Sequence, residues 1–532
     1  MRYYPMHMHL HTVHQTPASM EGHIYNARML GMEYIRFTDH DTHTGISDKS
    51  ISSFDFSRGV LEYENENGVT CGWTPLYECV PTVSCGKLTL TSEGERAGVQ
   101  FCANEKRHNR ALLADVTLTL TLDHKLKAGS RIVIDILLSM RPPEHKEAHF
   151  LYVLGETVSD TGELVGTKDL ELRPDGIYRL ELSRDIGERT ELGGLDNAFR
   201  GLSVILDGEG EVSLTGIQID SVYQYDELIR RQRALADEIG KRYGVKPFVT
   251  TEISGAGQHK NCYSSHVPVL DYSKGRITSE QAVKHVLSHG GIFCYNHPFE
   301  SSKYKGKPFT REELDEIVEF ESRHLAECRV FGASVIEIGF PMGRGLFTIG
   351  DHLRLWDNLS LAGVFITADG DSDSHTNAKQ WLDRNNFATW IGIEEDLGFP
   401  IGEEVFNASL KKGNAYTGDP VFLRGEVSFT CLGAPMGSVI EAYGKEYPLF
   451  LTLSGVVGKY TVRIIENGYP VLMKECEGDC NITYTARPSG RAGFVRAEAY
   501  NESGRCILLT NPIYFVSPDF DMEIPEERKV KL

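Results

Sequence analysis

At 532 residues, with 41% hydrophobic and 24% charged side chains, the chain has the make-up of an ordinary globular protein, long enough for about three domains and an ample core. A formal net charge of -20 argues against a nucleic-acid backbone as partner, because no broad basic face fits such a balance, while a small phosphate ester stays admissible. No apolar run is long enough to span a bilayer, the N-terminus lacks the apolar segment of a secretory signal, and eleven cysteines without a CxxC pair suit a reducing compartment, so the expectation is a cytoplasmic protein with no membrane partner, its homo-oligomeric state open.

The first predicted element is a strand, MRYYPMHMHLHT, in which His9 and His11 stand two apart. On extended backbone both imidazoles face one side and can grip one ion. A helix follows over SMEGHIYNARMLGM, with Ser19 as N-cap and Gly31 as stop, and the apolar EYIRF then leads to Thr38, Asp39 and His40. Arg36 interrupts that strand and is expected to snorkel from the core edge to solvent.

Between DTHTG and YQYDELIRR the helical period disappears. Short alternating strands take over, VTLTLTL at 116–122, RIVIDILL at 131–138, GLSVILDG at 201–208 and VSLTGIQID at 212–220, and predict an inserted, jelly-roll-like β-sandwich over 51–224. The sequence shows no distinct aromatic platform, so a structural or oligomerising wall around a site is preferred for it over carbohydrate binding.

Helix and strand signals alternate again from residue 225. Glu252 ends the apolar VTTEIS, and His266 follows in SSHVPVL. TSEQAVKHVLSHGG carries a capping box from Thr278 to Gln281, and Gly290-Gly291 then lead into IFCY and His297, where Pro298 ends the strand. The loop FESSKYKGKPF holds Lys303, Lys305 and Lys307, candidates for binding an anionic substrate together with Arg344 in PMGRG. A second capping box runs from Thr310 to Glu313, and LAGVFITADG precedes Asp373 and His375. Such alternation implies βα units with parallel strands. From 400 onward the chain is β-rich again, with Cys476 and Cys480 of CEGDC read as part of a turn in preference to a metal or redox pair; the charged PDFDMEIPEERKVKL is expected to be disordered.

Neutral imidazoles and carboxylates are ligands for Zn, Fe or Mn, and most of these residues stand at the end of an apolar strand, where a β/α barrel presents its chemistry. The order HxHT, TDHD, a strand-end Glu with a downstream His, NHP and SDSH resembles the PHP (polymerase and histidinol phosphatase) family of metal-dependent phosphoesterases over 1–48 and 225–395. LKKGNAYTGDP, FVRAEAYNESGRCILLTNPIYF and LWDNLSLAGVFITADGDSDSH are similar to its CehA/McbA-like branch. The resemblance implies a distorted (β/α)7 barrel that holds two or three divalent metals at its strand ends. His9, His11, Glu252 and Asp373 would hold one, Glu252, His266 and His297 a second, and His40 and His375 a third. His14 is the nearest side chain of the right type for the ligand after HxHT, with Thr16 at the more usual position; it stays open between ligand and loop histidine.

The expected division is thus barrel over 1–50 and 225–398, insert over 51–224, C-terminal β-rich domain over 399–516 and tail over 517–532. The expected activity is hydrolysis of small phosphomonoesters or phosphodiesters by a metal-bridging hydroxide, with Asp373 as ligand and proton shuttle beside His297 and His375. Carboxyl or carbamate esters are the variant for the same site. The opposing class is a non-catalytic carbohydrate-binding or scaffold protein built on the β domains, and the near-complete ligand set favours the enzyme.

Overall fold

A computed structural model describes residues 1–12, 19–41, 56–64, 70–102, 111–112, 117–138, 148–155, 165–187, 198–220, 225–272, 275–299, 308–341, 343–375, 387–394, 397–442, 445–488 and 490–531. The chain is mixed α/β and strand-rich. A long sheet starts from β1 (Arg2–His7), which lies parallel to β2 (Tyr34–His40), and β2 lies parallel to β3 (Lys246–Ile253). The short β4 (Lys260–Cys262) turns back antiparallel to β3, and β5 (Phe293–Tyr295) runs antiparallel to β4. Parallel pairing resumes with β6 (Val335–Gly339) and β7 (Thr367–Gly370).

On its other edge β1 pairs antiparallel with β8 (Ala388–Ile393), which pairs with β9 (Ala415–Gly418), and the ladder continues into Cys506–Thr510 and the C-terminal strands. The far end of the ladder curls back. Leu10 forms a parallel bridge with Ser374 just past β7, and the Thr389 hydroxyl on β8 accepts from Gly370 N at 3.0 Å and donates to Gly370 O at 3.1 Å. The barrel expected from the sequence therefore meets a less regular sheet, in which a hairpin replaces one βα unit and β8 carries the ladder onward.

Local sequence fixes the helices. Ser19 caps α1 (Met20–Met29) by accepting from Gly22 N, and Gly31 adopts the left-handed φ of +78° that ends it. α2 (Tyr225–Tyr243) packs on α1 and β3. The expected capping boxes, Thr278 with Gln281 and Thr310 with Glu313, start α3 (Ser279–Ser288) and α4 (Arg311–Glu327), and Thr348 with Asp351 starts α5 (Ile349–Leu361). Among the described residues no helix is long and apolar enough to cross a membrane.

Among the described residues, those between 74 and 220 build a separate ten-stranded sheet. Its long strands, Lys87–Cys102 and Ala198–Asp220, pair along most of their length; the first half of the latter also pairs with Arg131–Leu138 and the second half with Thr117–Leu126. The change comes at a register shift around Gly208, whose φ is +108° and where a Cβ would stand 2.6 Å from Ser130 Oγ, so only glycine fits the bend. The two halves share one core, in which Ile132, Ile134, Leu202 and Leu206 pack with Leu118, Leu120, Leu122 and Leu214.

Two expectations fail for a shared reason. Arg36 does not reach solvent: it is fully buried, with its guanidinium over the Tyr263 ring at 4.3 Å and within 3.4 Å of Glu403 and 3.2 Å of Asn407 on α6 (Glu403–Lys412). Residues 517–531, in the stretch expected to be disordered, pack against the rest of the fold. Lys529–Val530 pairs with Val439–Glu441, Phe520 packs on Phe365, and the buried Arg528 donates to Thr367 Oγ1 at 2.6 Å and to Gly437 O at 3.3 Å. In both places the fold supplies an arginine with acceptors that local sequence does not show.

Arg496 ties the C-terminal strands to α5. It is buried, donates to Asp357 Oδ1 at 2.8 Å and Oδ2 at 2.9 Å, and also pairs with Glu498. Replacing Arg496 by Met leaves two buried carboxylates without their cation, and urea unfolding should show a loss of about 3–5 kcal/mol. Arg487→Met removes the exposed pair with Glu446 and should leave the unfolding midpoint close to that of the parent. Equal losses would mean that the Arg496 network does not hold α5 to the C-terminal strands.

Candidate metal centre

The C-terminal ends of β1, β2, β3, β5, β6 and β7 meet at one place. His9 and His11 follow β1 with only Leu10 between them, and His11 N donates to Ser374 O at 3.2 Å, so both rings are delivered next to the segment after β7. His40 ends β2 and lies in register with Glu252 on β3. Asp39 holds the turn after His11 by accepting from Thr12 N at 2.6 Å and from Gln232 Nε2 at 3.1 Å.

Glu252 is the hub. Its Oε2 lies 2.7 Å from His40 Nδ1, 3.4 Å from His9 Nε2 and 3.5 Å from His11 Nε2. Its Oε1 accepts from Asn296 Nδ2 at 2.8 Å and lies 3.0 Å from His259 Nδ1 and 3.4 Å from His297 Nε2. Asp373 is the second hub: Oδ1 stands 2.9 Å from His11 Nε2, 3.3 Å from His9 Nε2 and 3.4 Å from His375 Nδ1, and Oδ2 pairs with Arg344. Both His297 (φ +27°) and Asp373 (φ +46°) hold left-handed backbone that non-glycine residues rarely adopt, a strain that clusters at functional sites.

His9, His11, Glu252 and Asp373 form one group whose ligand atoms all lie within 4.8 Å of one another, and the same limit gathers His11, His40 and His375, and also His40, Glu252 and His259. His9 Nε2 and Glu252 Oε2 are buried, face each other, and make no well-formed hydrogen bond. Leaving such atoms unmatched costs about 1–3 kcal/mol each, so a cation between them suits this donor set. The protonation states suit it too. Burial alone would push Glu252 and Asp373 up, but His40 and His9 around the first, and Arg344 and His9 around the second, hold both well below the usual carboxylate range. Burial and His375 keep His11 neutral, and burial and Arg344 do the same for His297. His9 goes the other way: burial lowers it, yet Asp373 and Glu252 draw it well above 6.5, a proton that a bound cation would displace.

Three findings depart from the expected site. His266 lies on the surface with Nε2 2.9 Å from His289 O, away from the cluster. His259 takes the place beside Glu252 because β3 and β4 form a hairpin across Gly255 and Gly257, which returns His259 to the carboxylate it left seven residues earlier. That glycine-rich turn is the one signal in the sequence that favours His259 over the later histidine. Glu337 on β6, an acid inside the apolar SVIEIGF, belongs to none of the motifs that marked the site. It is fully buried, its Oε1 lies 3.1 Å from His9 Nδ1, and its Oε2 accepts from His297 N at 2.5 Å. His14, Lys303, Lys305 and Lys307 lie outside the described residues. Arg344 stands beside Asp373 with its guanidinium 5.5 Å over the Phe340 ring.

His9, His11 and Glu252 have no exposed side-chain surface, whereas His259 (25%), Arg344 (26%) and His375 (39%) are partly exposed.

No family model matches the chain, and no curated protein matches it. Solved structures similar to parts of it include a two-domain protein containing a predicted PHP-like metal-dependent phosphoesterase from Bacteroides vulgatus ATCC 8482, at 13% identity over 53% of this chain and 80% of that one, with a TM-score of 0.28. An endoglucanase from Rhodothermus marinus (12% identity, 32% of this chain, 99% of that one, TM-score 0.22) and a family 12 xyloglucanase from Bacillus licheniformis (7%, 33%, 96%, TM-score 0.22) are also similar to parts of it. These TM-scores are too low to carry a fold or an activity across, so the chemistry of the site rests on its own side chains.

Proposed function

We propose that this chain is a metal-dependent hydrolase of the PHP type, acting on small phosphomonoesters or phosphodiesters. The observation that supports it is the convergence of His9, His11, Glu252 and Asp373, buried ligand atoms within 4.8 Å of one another at strand ends. In this reading His9, His11, Glu252 and Asp373 hold one divalent cation, Zn, Mn or Fe. Glu252, His40, His259 and His297 are the donors for a second, and His11, His40 and His375 for a third. Such cations, when bound, supply Lewis acidity and lower the pKa of water enough for it to attack near neutral pH.

The chain's own groups do the rest. Asp373 Oδ1, ionised and facing His9 and His11, accepts the proton of the attacking water. Glu337 fixes which nitrogen of His9 faces the site by occupying Nδ1. Arg344, partly exposed, offers a fixed cation to an anionic substrate oxygen while holding Asp373. Carboxyl or carbamate esters are the alternative substrates of the same site.

Elemental analysis of the purified protein should find two or three equivalents of Zn, Mn or Fe per chain, and chelation should abolish hydrolysis of phosphate esters. His259→Ala should lower the metal content, whereas His266→Ala should leave it unchanged; the reverse result would restore His266 as the ligand. A fully active protein without metal would end the proposal.

Glu337→Gln should weaken metal retention about 10–100-fold, the usual cost of losing a group that orients a ligand, while leaving the unfolding transition close to that of the parent. Titration against a metal indicator measures it, and unchanged affinity would reduce Glu337 to packing.

Arg344→Ala should lower kcat/KM on a phosphodiester by about 1–3 kcal/mol and hardly change it on a neutral aryl ester. Equal losses on both substrates would place its effect on Asp373 rather than on the substrate.

A further inference from the structure

Cys476 lies at the end of the strand Tyr469–Glu477 and Cys480 begins Cys480–Ala486, with Glu477, Gly478 and Asp479 between them. Their Sγ atoms stand 2.7 Å apart, closer than two sulfurs rest when they merely touch. The turn that sets this distance is held at several points. Gly478 has a φ of +71°, which favours glycine; Tyr460 Oη donates to Gly478 O at 2.6 Å; and Gly455 N donates to Asp479 Oδ1 at 3.0 Å. Tyr469–Glu477 pairs with Lys459–Glu466 at the margin of the long sheet, whereas Cys480–Ala486 belongs to a four-stranded sheet with Val427–Cys431 and Tyr447–Leu453. The two thiols therefore meet where the layers of the C-terminal β region join.

We propose that Cys476 and Cys480 form a reversible disulfide that staples these two layers together. The oxidant is a small-molecule disulfide such as oxidised glutathione. The thiolate of the partly exposed Cys476 attacks one of its sulfurs and expels one glutathione thiolate; the Cys480 thiolate then attacks Cys476 Sγ and expels the second. The protein gives up two protons and two electrons, and one glutathione disulfide becomes two glutathione thiols. No other group needs to move far, because the sulfurs are already in place. Burial, and then the neighbouring thiol, push Cys476 up to about 12, so closure should be slow near neutrality and quicken as pH rises.

The test uses the full-length protein in glutathione buffers from reduced to oxidised, at mildly alkaline pH, followed by acid quench, alkylation and peptide mass analysis. In oxidised buffer the tryptic peptide that carries both cysteines should weigh two hydrogens less, escape alkylation and revert with dithiothreitol, and the oxidised protein should melt at a higher temperature than the reduced one. Cys476→Ser should abolish both the mass change and the melting shift. Cys480→Ser should trap glutathione on Cys476; Cys476→Ser still decides the matter if that variant folds poorly. Two alkylated thiols after full oxidation, glutathione retained on Cys476 while Cys480 is present, or closure without any melting shift would each overturn the staple.

Discussion

A carboxylate with no exposed surface, Glu252, sets the terms for the rest of the site. An ion in that position is tolerated only where charged or donating groups surround it on every side. Its two oxygens do face such groups: His40, His9 and His11 on one, Asn296, His259 and His297 on the other. These come from β1, β2, the β3–β4 hairpin and β5, so the strand ends must converge for the acid to be buried at all. Register enforces the convergence. Glu252 stands opposite His40 on β2 and Asn261 on β4, and a one-residue slip of β3 would turn its carboxylate to the opposite face.

A second layer of acids lies beneath. Glu337 holds His9 Nδ1 and His297 N, and Asp371 and Asp369 sit behind it, the latter held by Tyr263 Oη at 2.6 Å. Burial and the charge of Glu337 drive Asp369 up to about 7 and Asp371 well above the usual range, while burial notwithstanding, His9 keeps Glu337 at about 2. So much buried acid, with Arg344 paired to Asp373, is an arrangement that further positive charge would relieve. It also explains why the imidazoles are not interchangeable: His9 is clamped on one nitrogen, so only Nε2 can face Glu252 and Asp373.

Much of the site was legible in the sequence because its parts obey local rules. His9 and His11 share a face since extended backbone has a period of two, His40 and His297 close apolar strands, and Asp373 and His375 follow another. The failures were contacts that a local pattern cannot contain. Choosing between His259 and His266 depends on whether the chain after Glu252 turns back at once or runs on to a helix, and only the Gly255–Gly257 turn distinguishes the two. Arg36 looked solvated, and the stretch that carries Arg528 looked disordered, because the acceptors, Glu403 and Asn407 for one and Thr367 for the other, lie far away in sequence. The alternating helix and strand signals implied parallel βα units, but they say nothing about strand direction within a short hairpin such as β3–β4 or about where a ladder stops.

That last point bears on how the site is kept rigid. The ladder does not end at β1 but passes through β8 and β9 into the C-terminal strands, so the strand that delivers His9 and His11 is an interior one. Asn511, just past Cys506–Thr510, reaches back: it accepts from Ala368 N at 2.8 Å and donates to the carbonyls of Ala368 and Ala415. Arg528 also closes on Thr367. β7, which carries Asp371, Asp373 and His375 on its exit, is thus fastened by residues 143 and 161 positions from their partners. A site that must hold several like-charged ligands together needs this support, because repulsion among its own acids would otherwise spread the strand ends.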